Sequence, residues 1–146
     1  MNFLALDFET ANYYRDSACA LGLVRVENNE IVDRTSFLIR PPYKYFVFTY
    51  IHGITWEDVE DEPTFGQHWK SIKPFFEGID FAVAHNASFD RNVLIACCER
   101  HKIIAPEVDF RCTMKLSRQV FNLYPTNLPA VCNNFNIALQ HHDALS

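Results

Sequence analysis

At 146 residues, 49% of them apolar and 13 of them phenylalanine, the chain can bury the core of one domain and is too apolar for a disordered or low-complexity segment. Its formal net charge of −5 excludes a protein that coats nucleic acid through a broad basic face, but not an enzyme that meets phosphates through bound cations. No apolar run approaches membrane-spanning length, and five cysteines without a C-x-x-C pair argue against a disulfide framework or a zinc knuckle.

In chain order, MNFLALDFET has no basic segment and its apolar run breaks at Asp7. It reads as a strand and not as a signal peptide, with the cytoplasm as the expected location. Alternation puts Phe3, Ala5, Asp7 and Glu9 on one face of that strand and Leu4, Leu6 and Phe8 on the other. Residues 18 to 27 (ACALGLVRVE) and 30 to 39 (EIVDRTSFLI) read as two more strands, joined by a tight turn at Asn28 and Asn29, which tolerate positive φ. Pro41 and Pro42 end that pattern. YKYFVFTYIHGIT is an aromatic connection whose conformation is not readable, and it leads into the acidic WEDVEDEP. Thr64 to Glu77 predicts a helix capped by Thr64 and bent or shortened at Pro74. Asp80 to Ala84 predicts a short apolar strand. Ala87 to His101 predicts a helix with Asn86 as N-cap and Phe89, Val93, Ala96, Cys97 and Arg100 along one side. Val108 to Arg111 predicts a fifth strand, and Thr113 to Phe121 and Leu128 to Asn136 two more helices. The order implies an α/β domain with a mixed five-stranded sheet, three antiparallel strands followed by βα units, flanked by helices.

Asp7 and Glu9 lie two apart at the end of an apolar strand, so both carboxylates leave the same face and can share a cation. An exposed strand end paired with Lys or Arg is the plain alternative. A second D-x-E, Asp58 and Glu60, sits in WEDVEDEP and reads as a solvated charge run. Asp90 falls in the first turn of the helix after DFAVA, where a carboxylate also suits the helix dipole. If the first and fourth strands are neighbours, the three acids converge and repel one another unless a divalent ion neutralises them. An all-oxygen set favours Mg²⁺ or Mn²⁺ over zinc. Cys97, Cys98, His101 and Cys112 make a poor metal set, because adjacent cysteines on a helix point apart.

LALDFET resembles the first motif, AHNASFD the second and HHDALS the start of the third motif of the DEDDh 3′–5′ exonucleases, the family of the DNA polymerase III epsilon proofreading subunit. IHGIT, FRCTMKLSR and LPAVCNNFNI are also similar to that family, so the likeness covers essentially the whole chain. The resemblance implies an RNase H-like fold and hydrolysis of terminal phosphodiesters with two divalent cations. Asp7 would bridge both ions, Glu9 and a fourth acid would complete one, and Asp90 would help hold the other. His142 would take the proton from the attacking water, which an ordinary imidazole pKa of about 6.5 suits. The third motif, H-x-A-x-x-D, gives His142 and Ala144, and its last aspartate would fall one residue past Ser146. The expectation is an exonuclease domain over residues 1–146 cut short just before the last catalytic aspartate and the C-terminal helix.

By the same resemblance Phe8 and Thr10 would meet the terminal nucleotide, partly through backbone amides. His52, Gly53 and Ile54 would pack against its base or sugar, and Asn86 and Phe89 would line the pocket, although N-cap and helix core are their plain readings. The implied partners are 3′ ends of single-stranded DNA or RNA, with a DNA polymerase compatible and no membrane. DNA against RNA and the oligomeric state stay open. The competing function is a non-catalytic module that binds nucleic acid or a protein partner on the same fold.

Overall fold

Leu4, Leu6 and Phe8 turn to one side of β1 (Asn2–Thr10) and are buried, whereas Asp7 on the other side is exposed. The alternation read from the sequence therefore sets the two faces. The computed structural model describes residues 1–140. β1 pairs antiparallel with β2 (Ala18–Glu27), from Asn2 opposite Glu27 to Thr10 opposite Ala18. β3 (Glu30–Leu38) follows through the expected hairpin, with Asn28 at φ 51° and Asn29 at φ 66°. Two consecutive left-handed residues match the twist of the strands they join.

The connection left unread from sequence holds two single-turn helices, α1 (Thr49–His52) and α2 (Trp56–Val59). The acidic run is only partly a solvated face: Asp58 Oδ2 accepts from the Thr55 N–H at 2.8 Å and closes a capping box on α2. α3 (Phe65–Ile72) starts at Thr64 with a second capping box, in which Gln67 Oε1 accepts the Thr64 N–H at 2.9 Å. Pro74 then converts its continuation into a 3₁₀ turn over Lys73–Phe76.

β4 (Phe81–Ala84) pairs parallel with β1, Phe3 opposite Phe81 and Ala5 opposite Val83. β5 (Phe110–Cys112) pairs parallel with β4, which completes the order β3-β2-β1-β4-β5. The fifth strand starts two residues later than Val108, because its register is set by pairing with Ala82 to Ala84. Between β4 and β5 runs α4 (Ala87–Arg100), and α5 (Thr113–Phe121) and α6 (Leu128–Asn134) follow.

The core lies where Leu4, Leu6, Phe8, Leu21 and Leu23 of the sheet meet Phe65 and Ile72 of α3 and Val93, Leu94, Cys97 and Cys98 of α4. Each fully buried apolar side chain of this size contributes about 1.5–3 kcal/mol. Gly66 lets α3 approach the end of α4, since a Cβ there would lie 2.6 Å from His101 Nδ1.

Two details of α4 differ from the sequence reading. Asn86 makes no side-chain cap bond; it sits at φ 69°, ψ 53°, and the Ala87 N–H is taken by Cys112 Sγ at 3.5 Å. Asparagine is tolerated there because it adopts the left-handed region more readily than most residues. Phe89 is not core: it is 42% exposed, and the buried side carries Ala87, Asp90, Val93, Leu94, Cys97 and Cys98.

Candidate active site

Parallel pairing with β4 covers only Phe3 to Ala5, so the last part of β1 runs beyond its neighbour. Asp90 meets it there: its Oδ1 accepts the Phe8 N–H at 2.9 Å across 82 residues of chain, and Asp90 is 1% exposed. The first turn of α4 is thereby fixed to the strand that carries Asp7 and Glu9. The condition set in the sequence reading, that the first and fourth strands be neighbours, is met, and Asp90 lies beside the end of β1.

Their electrostatics report the crowding. Burial pushes the Asp7 carboxyl up to about 6, and Glu9 is pushed up to about 7 by burial and then by the charge of Asp7. Asp90 is pushed up to about 8, with burial the largest cause and the Asp7 and Glu9 charges adding to it, against the lowering effect of the Phe8 N–H. Asp7 is exposed by surface area, yet the surrounding protein still desolvates its carboxyl enough to raise it. Burial is the leading cause for all three, and the charge of Asp7 adds to it at Glu9 and Asp90, so a nearby cation would favour their ionised forms.

Among the described residues no group of three or more His, Cys, Asp or Glu side chains is placed so that together they could hold a metal ion, and Asp7, Glu9 and Asp90 are no exception. That is compatible with a small hard ion, which keeps several waters and takes one or two carboxylates together with substrate phosphates. A cavity of about 580 Å³ lies elsewhere, between β4, β5, α4 and α5, and none of the three acids lines it. An open sheet end suits a polymer chain better than an enclosed pocket does.

Phe8 and Thr10 are buried, so these positions present backbone and not side chain to anything bound at the sheet end. His52 has both ring nitrogens engaged. Nδ1 accepts from the Ile54 N–H at 3.0 Å, which leaves the proton on Nε2 for the Thr10 carbonyl at 2.9 Å. It ties α1 to the end of β1 and positions Gly53, at φ 77°, and the half-buried Ile54. Asn86 and Phe89 face outward on the turn that carries Asp90. His142 lies outside the described residues.

Two organising residues were not singled out from sequence. His85 bonds Thr113 Oγ1 at 2.9 Å and the Thr126 carbonyl at 2.8 Å, anchoring the segment before α6 to the end of β4. Its place beside Asn86 in AHNASFD was the available signal. Asn12, 2% exposed, donates to the Tyr45 carbonyl at 2.9 Å and accepts from the Tyr14 N–H at 2.8 Å. Nothing local in the sequence distinguishes it from a surface asparagine.

The RNase_T family model, described as exonuclease, matches residues 4–146. A PolC-type DNA polymerase III of Oceanobacillus iheyensis is 32% identical over 151 residues, 98% of this chain and 10% of that protein. Exodeoxyribonuclease 10 of Escherichia coli strain K12 is 37% identical over 103 residues, 67% of this chain and 39% of that protein. The chain thus matches well under two thirds of the length of either relative. A solved structure of exonuclease X in complex with 5′-overhanging duplex DNA is similar at a TM-score of 0.73 and 27% identity, over 99% of this chain and 79% of that one. The mixed five-stranded sheet is accordingly the RNase H-like fold that the motifs implied. With the family match running from the first strand to the last residue and the acids gathered at one sheet end, the chain belongs to the RNase_T exonuclease family.

Proposed function

We propose that this chain is a metal-dependent 3′–5′ exonuclease that hydrolyses phosphodiester bonds at the 3′ ends of single-stranded DNA or RNA and releases nucleoside 5′-monophosphates. The observation that carries the reading is the bond from the Phe8 N–H to Asp90 Oδ1 at 2.9 Å, which sets Asp90 beside the strand end that bears Asp7 and Glu9, where burial raises all three carboxyls. Asp7, Glu9 and Asp90 are the residues that would hold the ions, Asp7 serving both, Glu9 one, and Asp90 the other or its waters. When bound, two divalent cations, Mg²⁺ or Mn²⁺, supply the charge that acidifies the attacking water and stabilises the leaving 3′-oxygen.

The protein's own part is positioning and proton transfer. The Phe8 N–H fixes the Asp90 carboxylate, and the His52 link from α1 to Thr10 fixes the backbone beside Glu9. Phe8 and Thr10 through backbone, together with Gly53, Ile54, Asn86 and Phe89, are assigned to the terminal nucleotide, with His52 holding their frame. His142 is assigned as the base. The DNA complex of the exonuclease X structure supports a DNA end as substrate, and the PolC-type relative supports a DNA polymerase as partner. Among the described residues no helix is long and apolar enough to cross a membrane; a cytoplasmic location belongs to the same reading.

The test is Mn²⁺-dependent release of a nucleoside 5′-monophosphate from a 3′-end-labelled single strand. Release that depends on metal and disappears in Asp7→Ala is the expected result. Strand binding without release at any metal concentration would favour the non-catalytic module on the same fold.

A further inference from the structure

The cavity of about 580 Å³ between β4, β5, α4 and α5 stands apart from the acids, and its lining differs in charge from the rest of the chain. Phe81, Val83, Phe110 and Leu116 form its apolar walls, and Arg91, Arg111 and Lys115 stand around them. Among the described residues that line it there is no Asp or Glu, in a chain with 18 acids against 13 bases. The same bias runs along the sequence: Arg111, Lys115 and Arg118 are the only charged residues between Phe110 and Gln140. Arg91 and Lys115 are exposed, and Arg111 meets Asp109 at 3.3 Å in a surface pair that neutralises little.

The apolar surface extends beyond the cavity. Leu116 is 49% exposed and Val120, one helical turn further along α5, is 63% exposed, while the buried residue of that helix is Ser117. An apolar stripe turned to water forgoes about 1.5–3 kcal/mol of burial per side chain. A surface of this length outruns a compact ligand and suits a polypeptide. A nucleic acid strand fits the walls poorly. The Phe81 ring is flanked by Phe3 from β1, stacked at 5.2 Å with 7° between planes, and by the Arg111 guanidinium from β5, 4.0 Å from its centroid. Its faces are taken, and no base can stack there.

We propose that the cavity, together with the α5 stripe of Leu116 and Val120, is a docking site for an acidic polypeptide segment of a partner protein. Apolar side chains of that segment enter between Phe81, Val83, Phe110 and Leu116, while its carboxylates meet Arg91, Arg111 and Lys115. The site is separate from the exonuclease reading and stands or falls without it. Cys112 lies in the lining and reports occupancy. The other four cysteines are buried, whereas Cys112 is half-buried. Burial raises its thiol, but the backbone N–H groups of Ala87, Lys115, Asn86 and Met114 outweigh burial and hold it below the ordinary value, so it is the thiol expected to alkylate first.

The probe is a fluorescein-labelled peptide in which Asp and Glu flank a central Leu-Phe pair, and its binding to the whole chain is followed by anisotropy. Saturable binding is expected. Affinity is expected to fall about 10-fold or more when Ser replaces the Leu-Phe pair, when Lys replaces the acids, and in Lys115→Glu/Leu116→Ser. Both of those side chains are exposed, so the melting temperature of the variant is expected to stay unchanged, and Lys115→Glu alone is expected to weaken binding in the same direction. Bound peptide is also expected to slow alkylation of Cys112 by iodoacetamide. No binding of the acidic apolar peptide, binding that both variants leave unchanged, or alkylation that the peptide does not slow overturns the proposal. Displacement of the peptide by an oligothymidylate strand would make the groove a nucleic-acid surface. Self-association of the chain in sedimentation, lost in Lys115→Glu/Leu116→Ser, would make its occupant a second copy. Either result overturns the partner proposed.

Discussion

Asp90 serves two ends at the scale of single residues: its Oδ1 holds the Phe8 N–H, and its charge opposes those of Asp7 and Glu9. Asparagine in its place keeps the acceptor and removes the charge. Asp90→Asn is therefore expected to lower nucleotide release by about 10³-fold or more, the loss of several kcal/mol of metal-borne stabilisation, while raising the melting temperature of the metal-free protein at pH 8 by about 3 °C. A variant that is inactive but less stable would mean that the carboxylate is structural. The pH dependence follows from the direction of the shifts. All three folded carboxyls lie above the ordinary range, so their contribution to stability is full below about pH 4 and is lost as the pH rises through about 6, 7 and 8. Calorimetric scans in EDTA are expected to show the melting temperature falling from pH 5 to pH 8.5, with Mn²⁺ restoring it at the upper end. Asp7 and Glu9 stood out because a strand that ends in charge after an apolar run is a local pattern, although that pattern alone fits an exposed strand end as well and their roles came from the family resemblance. The Phe8–Asp90 bond was not legible, since it joins residues 82 apart and depends on where β4 stops pairing.

Elements differ in how far their own sequence determines them. β1, the Asn28–Asn29 hairpin and the Thr64 cap were readable because alternation, positive φ and capping are properties of a few adjacent residues. The helical turns α1 and α2 were not, because α1 is held by Ala11 and Thr10 of another segment and carries no buried residue of its own. Asn86 and Phe89 show the limit of assigning a helix face by spacing alone. The start of α4 demands a left-handed backbone at Asn86, so Asn86→Gly is expected to leave stability nearly unchanged and Asn86→Ala to cost about 1–2 kcal/mol, measured by urea unfolding. Equal losses in both would show that the amide side chain itself matters. Leu94, buried between α4 and the sheet, sets the scale for the core: Leu94→Ala is expected to cost about 2–5 kcal/mol.

For the molecule as a whole, a net charge of −5 on a chain that handles a polyanion requires the attraction to be local. Strand binding is then expected to be shallow in salt, with log K falling against log salt no more steeply than about −2, the slope of roughly three phosphates neutralised on a single strand. A slope several times steeper would reveal a broad basic surface that the net charge argues against. The mixed sheet was legible from three strands in series followed by βα units, but the pairing of β1 with β4 was only a condition there, and it is that pairing which brings the end of β1 and the start of α4 to one place. Everything chemical depends on what that place binds. The most direct measurement is a titration of the metal-free chain with Mn²⁺ by calorimetry at pH 7.5, repeated in two buffers of different ionisation enthalpy. Saturable binding with net proton release, as expected when carboxyls held at about 6 to 8 must ionise, and its loss in Asp7→Asn, is the predicted result. Binding that Asp7→Asn leaves unchanged, or no binding at all, would contradict the assignment of the sheet end as an ion site.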